Sequence, residues 1–224
     1  MSTAQPPRAP LSRERIVRAA LDLVDEAGLD ALTMRRLGSI LGVEAMSLYK
    51  HVPNKEAILD GIRELLLADF AASLPASAPL GDWRDDLARF ARSYRALGRA
   101  HPEAFSLLAS APGRAYVAGS DVAETGLERL IAEGLDRDDA IRAQRTVTRF
   151  VLGTSLLEHA ADDAPSPVSE PELVALTEDR PLLGALLGAL ENSTDDALFE
   201  FGLAALLAGI EQIVAGAAPR PDED

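Results

Sequence analysis

The sequence predicts an all-α protein of two parts, on three observations. Alanine and leucine dominate, aromatic residues make up only 4%, and β-branched runs are scarce, a balance that favours helix over sheet. Apolar residues recur at three- and four-residue steps through much of the 224-residue chain, which is the spacing of helix faces. Charge is divided unevenly: residues 1–60 hold eight basic and eight acidic side chains, so the remaining 14 basic and 28 acidic ones carry the whole net charge of −14. Such asymmetry points to two parts with different partners.

Each element has its own signal. Ser12 reads as an N-cap with Glu14 in the first turn, where the helix dipole favours an acid. Ile16, Ala19, Ala20, Leu23, Val24 and Ala27 then form one apolar face, and Gly28 stops the helix. Thr33 caps a short second helix with Leu37, Ile40 and Leu41 turned inward; Gly42 and Val43 make a tight turn. A third helix is expected from about Glu44 to Lys50, ended by Pro53, and Asn54 caps a long fourth helix carrying Ile58, Ile62, Leu65, Leu66 and Phe70.

Leu74 to Pro79 reads as a linker. Helical stretches follow near residues 83–99, 103–108, 121–133 and 138–159, then the proline-rich segment AADDAPSPVSEPE as a loop, and two last helices near 181–191 and 195–215.

Composition also excludes several classes. Hydrophobic residues at 47% and charged residues at 26% are ordinary for a soluble globular protein. With no cysteine there is no disulfide, thiolate nucleophile or cysteine-ligated metal. MSTAQPPRAP lacks the apolar core of a signal peptide, and PLLGALLGAL is shorter than the ~20 residues that span a bilayer. A soluble cytoplasmic protein with no membrane partner is expected. There is no G-x-S-x-G, phosphate loop, dinucleotide fingerprint or H-E-x-x-H, so nothing points to an enzyme or a cofactor.

The most informative stretch is GVEAMSLYKHVPNK, residues 42–55, which holds both lysines of the chain, one of three histidines and one of three tyrosines. A helix, a short helix, a glycine turn and a second short helix follow helix-turn-helix grammar. Leu37, Ile40, Val43 and Leu48 would lock the two short helices together, leaving Met46, Ser47, Tyr49 and Lys50 on the outer surface. Such a helix fits the major groove of B-DNA, and lysine, tyrosine, serine and threonine suit phosphate.

Leu32 to Asp60, LTMRRLGSILGVEAMSLYKHVPNKEAILD, resembles the DNA-binding region of the TetR family of bacterial transcriptional repressors. The matching features are the LT-x-R start, LGV at the turn, LY followed by HV, and NK opening the next helix. GDWRDDLARFARSYRALGRAHPE, FVLGTSLLEH and FEFGLAALLAGIE resemble, more faintly, the regulatory domain of the tetracycline-repressor branch. The implied division is a disordered arm at 1–11, a helix-turn-helix domain at 12–60, a ligand-binding and dimerisation domain at 61–216, and a disordered tail at 217–224.

The resemblance implies that Thr33, Ser47, Tyr49, Lys50, His51 and Lys55 meet the DNA backbone, while Arg35, Ala45 and Met46 approach bases. Beside each role stands a plainer one: Tyr49 covering the small core, His51 capping the third helix, Lys50 and Lys55 as solvated charges. Phe90, Tyr94, Phe105, Leu108, Phe150 and Thr154 are candidates to line a ligand cavity or, equally, to be hydrophobic core. Arg149, Glu158, His159 and His101 could approach one another, but their spacing does not define a metal site.

In the tetracycline-repressor branch a magnesium–drug complex is held by an asparagine, a histidine and a glutamate. Carried through Trp83, the asparagine position falls on Phe90, the histidine region reads Leu107-Leu108-Ala109, and Glu158 is displaced by one residue. The implied effector is therefore an apolar or aromatic-bearing small molecule rather than tetracycline–magnesium.

Leu182, Leu183, Leu186, Leu187 and Leu190, then Leu198, Phe199, Leu203, Leu206, Leu207 and Ile210, give the last two helices wide apolar faces. They suit either an intramolecular core or the homodimeric four-helix interface of the family, with Gly184, Gly188, Gly202 and Gly209 permitting close approach. A homodimer reading a palindromic double-stranded operator is the expectation. A helical ligand-binding or scaffolding protein without sequence-specific DNA binding is the alternative.

Overall fold

Three side-chain caps start the N-terminal helices where the sequence predicts. In the computed structural model, which describes residues 10–74, 82–163, 176–177, 179–192 and 195–216, Ser12 Oγ accepts from the Arg15 amide at 3.2 Å and opens α1, Arg13–Ala27. Thr33 Oγ1 accepts from the Arg36 amide at 3.2 Å and opens α2, Met34–Leu41. After α3, Ala45–Leu48, Asn54 Oδ1 accepts from the Ala57 amide at 2.9 Å and opens α4, Lys55–Ser73. Each cap satisfies an amide that the helix itself leaves unpaired.

The remaining helices are α5 (Trp83–Ala100), α6 (Pro102–Ser110), α7 (Pro112–Ala118), α8 (Ser120–Ala132), α9 (Arg137–Asp163), α10 (Pro181–Asn192) and α11 (Asp195–Gly216). The all-α expectation holds for every described element. Helix α7 falls in a stretch, between the helices expected near 103–108 and 121–133, to which the sequence pattern assigned no element. Its signal is proline at the first helical position, which needs no amide there and arrives with its φ already set. Most of the expected arm, of the linker and of the proline-rich loop, and the whole expected tail, lie outside the described residues.

The helices pack as two compact units, one of residues 1–78 with 96–126, the other of 79–95 with 127–224. In the first, α1 packs against α2, α4 and α6, and α4 against α6 and α7. Because α1 is covered from several directions, its buried set widens from the expected face to include Val17 and Leu21, while Ala27 stays exposed. Ile58, Ile62, Leu66 and Phe70 form the buried stripe of α4. Each such side chain contributes about 1.5–3 kcal/mol.

The second unit is tied by Arg95. Its guanidinium donates to Glu158 Oε1 on α9 at 2.6 and 2.9 Å, pairs with Asp196 on α11 at 2.9 Å, and lies 4.2 Å from the Phe199 ring centroid. Phe199 and Leu203 are buried and Phe150 stacks on Phe199 at 5.4 Å. Gly202, expected to admit a second helix, is instead approached by the Phe150 ring, where a Cβ would stand 2.7 Å from Cζ. Helix α11 is longer than the PLLGALLGAL run of α10: over Asp195–Ala215 it has the length and composition of a membrane span, and 11% of its most apolar window is buried.

A polar defect sits in the same unit. Both carboxylate oxygens of Asp86 and of Glu133 are buried without hydrogen-bond partners among the described residues, and the nearest cation on Asp86 is Arg129 at 3.9 Å. Burial, then the charges of Asp86, Asp82 and Asp85, push the Glu133 carboxyl up against the pull of Arg129. A raised carboxyl stabilises the fold fully below its unfolded value, and that contribution is lost as pH rises through the folded value. Glu133→Gln keeps the shape without ionising. Relative to wild type it should gain thermal stability at neutral pH and lose the advantage near about pH 4. Thermal unfolding of both proteins across that range checks this; a difference independent of pH would count against it.

Candidate nucleic-acid interface

The geometry of the α2–α3 turn decides what reaches the surface. Gly42 caps α2 in the left-handed region at φ 70°, its amide bonding Ser39 O at 3.2 Å while the Val43 amide bonds Gly38 O at 2.9 Å. This is the helix ending that glycine makes without strain. Gly38 is buried at the crossing of the two short helices. A Cβ there would stand 2.9 Å from Val43 O and 3.2 Å from Ala45 N.

That contact explains a correction. Ile40, expected to lock the two helices, is 53% exposed. On a helix it lies 60° to one side of Leu37, whereas Gly38 and Leu41 lie to the other, at 100° per residue. The buried face of α2 is Leu37, Gly38 and Leu41. The glycine fills the contact for which an apolar side chain was expected.

Helix α3 is also shorter than expected. Ser47 N bonds Glu44 O at 2.8 Å, then both His51 N and Val52 N turn back to Leu48 O at 2.9 and 3.0 Å. Leu48 and Val52 are fully buried, and Pro53 offers no amide to continue. This pinning exposes Met46 at 71% and Tyr49 at 44%. Lys50 and His51 are exposed, as are Thr33 and Arg35 on the α2 side and Lys55 at the start of α4; Ala45 and Ser47 are half-buried. Tyr49 thus leaves the core to Leu48. Arg36, exposed in the first turn of α2, adds a cation that the sequence reading passed over; its signal was the Arg-Arg doublet.

The ligand candidates are divided. Phe90, Tyr94, Phe150 and Thr154 belong to the second unit, Phe105 and Leu108 to the first. Phe90 and Tyr94 stack at 5.6 Å, Thr154 Oγ1 donates to Phe150 O at 2.9 Å, and Phe105 and Leu108 are each 1% exposed. His101 Nδ1 lies 2.7 Å from Asp25 Oδ2, and Glu158 is engaged by Arg95. Among the described residues no group of three or more His, Asp or Glu side chains is placed to hold a metal ion.

An exposed Arg-Lys-Tyr surface on a tight pair of short helices, with a helical domain following, defines a helix-turn-helix DNA-binding protein. The family described as "Bacterial regulatory proteins, tetR family" matches residues 16–62, and "Tetracyclin repressor-like, C-terminal domain" matches residues 74–214. The chain belongs to the TetR family of transcriptional repressors. It is 36% identical over 203 residues to the tetracycline repressor protein class A from transposon 1721 of Escherichia coli, covering 89% of this chain and 90% of that one.

Solved structures agree. ActR of Streptomyces coelicolor in complex with actinorhodin superposes with a TM-score of 0.74 at 28% identity, covering 94% of this chain and 100% of that one. A TetR variant from Acinetobacter baumannii AYE in complex with minocycline gives 0.72 at 31%, covering 96% and 100%.

Gly38→Ala tests the crossing. Backbone rather than a flexible side chain opposes the added methyl, so overpacking of about 1–3 kcal/mol is expected. The measurement is the denaturant midpoint, and a variant as stable as wild type would show that α3 can move aside.

Proposed function

We propose that the protein is a homodimeric repressor that binds a palindromic double-stranded operator and is released by a small-molecule effector. The exposed donor surface from Thr33 to Lys55 carries this reading, because an acidic chain of net charge −14 gathers both its lysines there. Thr33, Ser47, Tyr49, Lys50, His51 and Lys55 hold phosphates, and Arg35 reads a guanine through two hydrogen bonds. Ala45 and Met46 offer no base-directed donor, so at most they contact thymine methyl groups. The operator should therefore differ from one read by polar side chains at those positions.

Exposure on the last helices supports the dimer. Leu182 is 85% exposed, Leu198 60%, Phe201 74% and Ile213 66%. An apolar stripe of this extent on a water-soluble chain is normally covered. A second copy covering it accounts for the membrane-like composition of α11 and fits a cytoplasmic regulator. The functional division at residue 60, with residues 61–216 binding ligand and partner, belongs to the same proposal, with α6 and α7 packed on the helix-turn-helix side in one compact unit. The effector is apolar or aromatic, held among second-unit side chains such as Phe90, Tyr94, Phe150 and Thr154, while Phe105 and Leu108, each 1% exposed, serve the core of the first unit. Ligand and DNA then oppose each other reciprocally, with a coupling of about 1–3 kcal/mol.

Selection from a random double-stranded pool is the direct test. Wild type should enrich a palindrome, Tyr49→Ala/Lys55→Ala should enrich nothing, and Arg35→Ala should lose about 1–3 kcal/mol of discrimination at one base per half-site. Folded wild type that enriches no sequence at low salt favours the scaffolding alternative. Separately, Phe201→Glu should convert the dimer to monomer in sedimentation velocity; an unchanged dimer would place the interface elsewhere.

A further inference from the structure

Helix α4 presents a conflict at its DNA-facing end. Lys55 opens it, yet Glu56 and Asp60 follow within the first two turns, four residues apart and so on one face. Asp60 lies about 7.5 Å along the axis from Lys55. A phosphate held at Asn54–Lys55 therefore meets both carboxylates within about one Debye length at physiological salt, roughly 8 Å.

We propose that Arg63 and Arg114 form a charge clamp that neutralises this pair, with Arg114 of α7 a positioning residue for DNA binding. The inference rests on the operator reading above. Arg63 Nη1 lies 2.7 Å from Asp60 Oδ1 and 3.4 Å from Glu56 Oε1. Its Nε donates to Leu107 O of α6 at 3.3 Å, and its side chain is only 4% exposed, so it cannot swing to other partners. Arg114 bonds the other oxygen of Asp60 and lies 3.6 Å from Glu56 Oε1.

Two cations thus face two anions, leaving Lys55 as the uncompensated charge of that turn. Burial raises the Asp60 carboxyl, but hydrogen bonds and charges from Arg114 and Arg63 outweigh it and hold the group below its ordinary range. The clamp joins α4 to α6 and α7, which are remote in sequence from every residue that touches DNA. Arg114 itself is 53% exposed and free to be exchanged without opening the core.

The test is fluorescence polarisation of full-length protein on a labelled random-sequence duplex pool across a salt titration, with thermal unfolding as the control. Arg114→Ala should weaken binding about three- to tenfold at low salt, the gap closing as salt screens it. Arg114→Lys should bind nearly as wild type. Adding Glu56→Gln to Arg114→Ala should restore affinity, because it removes the charge left bare, whereas a purely structural defect would not be repaired. Arg114→Ala binding as tightly as wild type, or no recovery with Glu56→Gln, overturns the clamp alone. Failure of wild type to bind the pool at any salt overturns the operator reading and the clamp with it.

Discussion

The apolar seam between α1 and α4 is the interaction on which the first unit depends. Ile16, Ala20, Leu23 and Val24 on one side and Ile58, Ile62 and Leu66 on the other are almost fully buried. Helix α2 leans on α1, and α3 is held to α2. The two short helices have eight and four residues, too few to be stable alone, since isolated helices shorter than about 12–15 residues are marginal in water. Their position is therefore borrowed from the seam, and the exposed reading surface is only as well placed as α1 and α4 make it.

Helix α4 serves two demands at once. Its buried stripe completes the core, while its first turn, capped by Asn54, presents Lys55. The buried guanidinium of Arg63 belongs to neither demand. A charge in such a place is costly unless it is paired, and its hydrogen bonds to Asp60, Glu56 and the Leu107 carbonyl meet that cost while fastening α6 to α4. In the second unit Arg95 has the equivalent place, with Glu158, Asp196 and the Phe199 ring around it. Neither burial was legible in the sequence, because the Leu107 carbonyl over Arg63 and the Glu158 carboxylate on Arg95 lie 44 and 63 residues further on.

Gly38 shows the same limit at shorter range. Leu37 and Leu41 were legible as an apolar face, and periodicity alone promoted Ile40 with them. Whether position 38 or 40 faces α3 depends on the angle at which the chain leaves the Gly42 turn, and close approach of two backbones leaves no mark on hydropathy. Helix α7 was hidden for a related reason, since Pro-Gly is a turn signal in isolation. Only the packing of α7 on α4 and α6 shows that Pro112 begins a helix.

By itself the sequence determined the all-α class, the three N-caps, the glycine stop of α2, and the donor-rich stretch from Gly42 to Lys55, whose Tyr49, Lys50, His51 and Lys55 are exposed. These are local properties: a cap, a turn and a polar face depend on residues within one or two helical turns. The tertiary structure alone decided which arginines are buried, that Gly38 makes the helix crossing, that Gly202 receives the Phe150 ring, and that the six ligand candidates belong to different units. Those outcomes depend on contacts between residues distant in the chain, and such contacts are chosen by the packing of whole helices rather than by the pattern along any one of them.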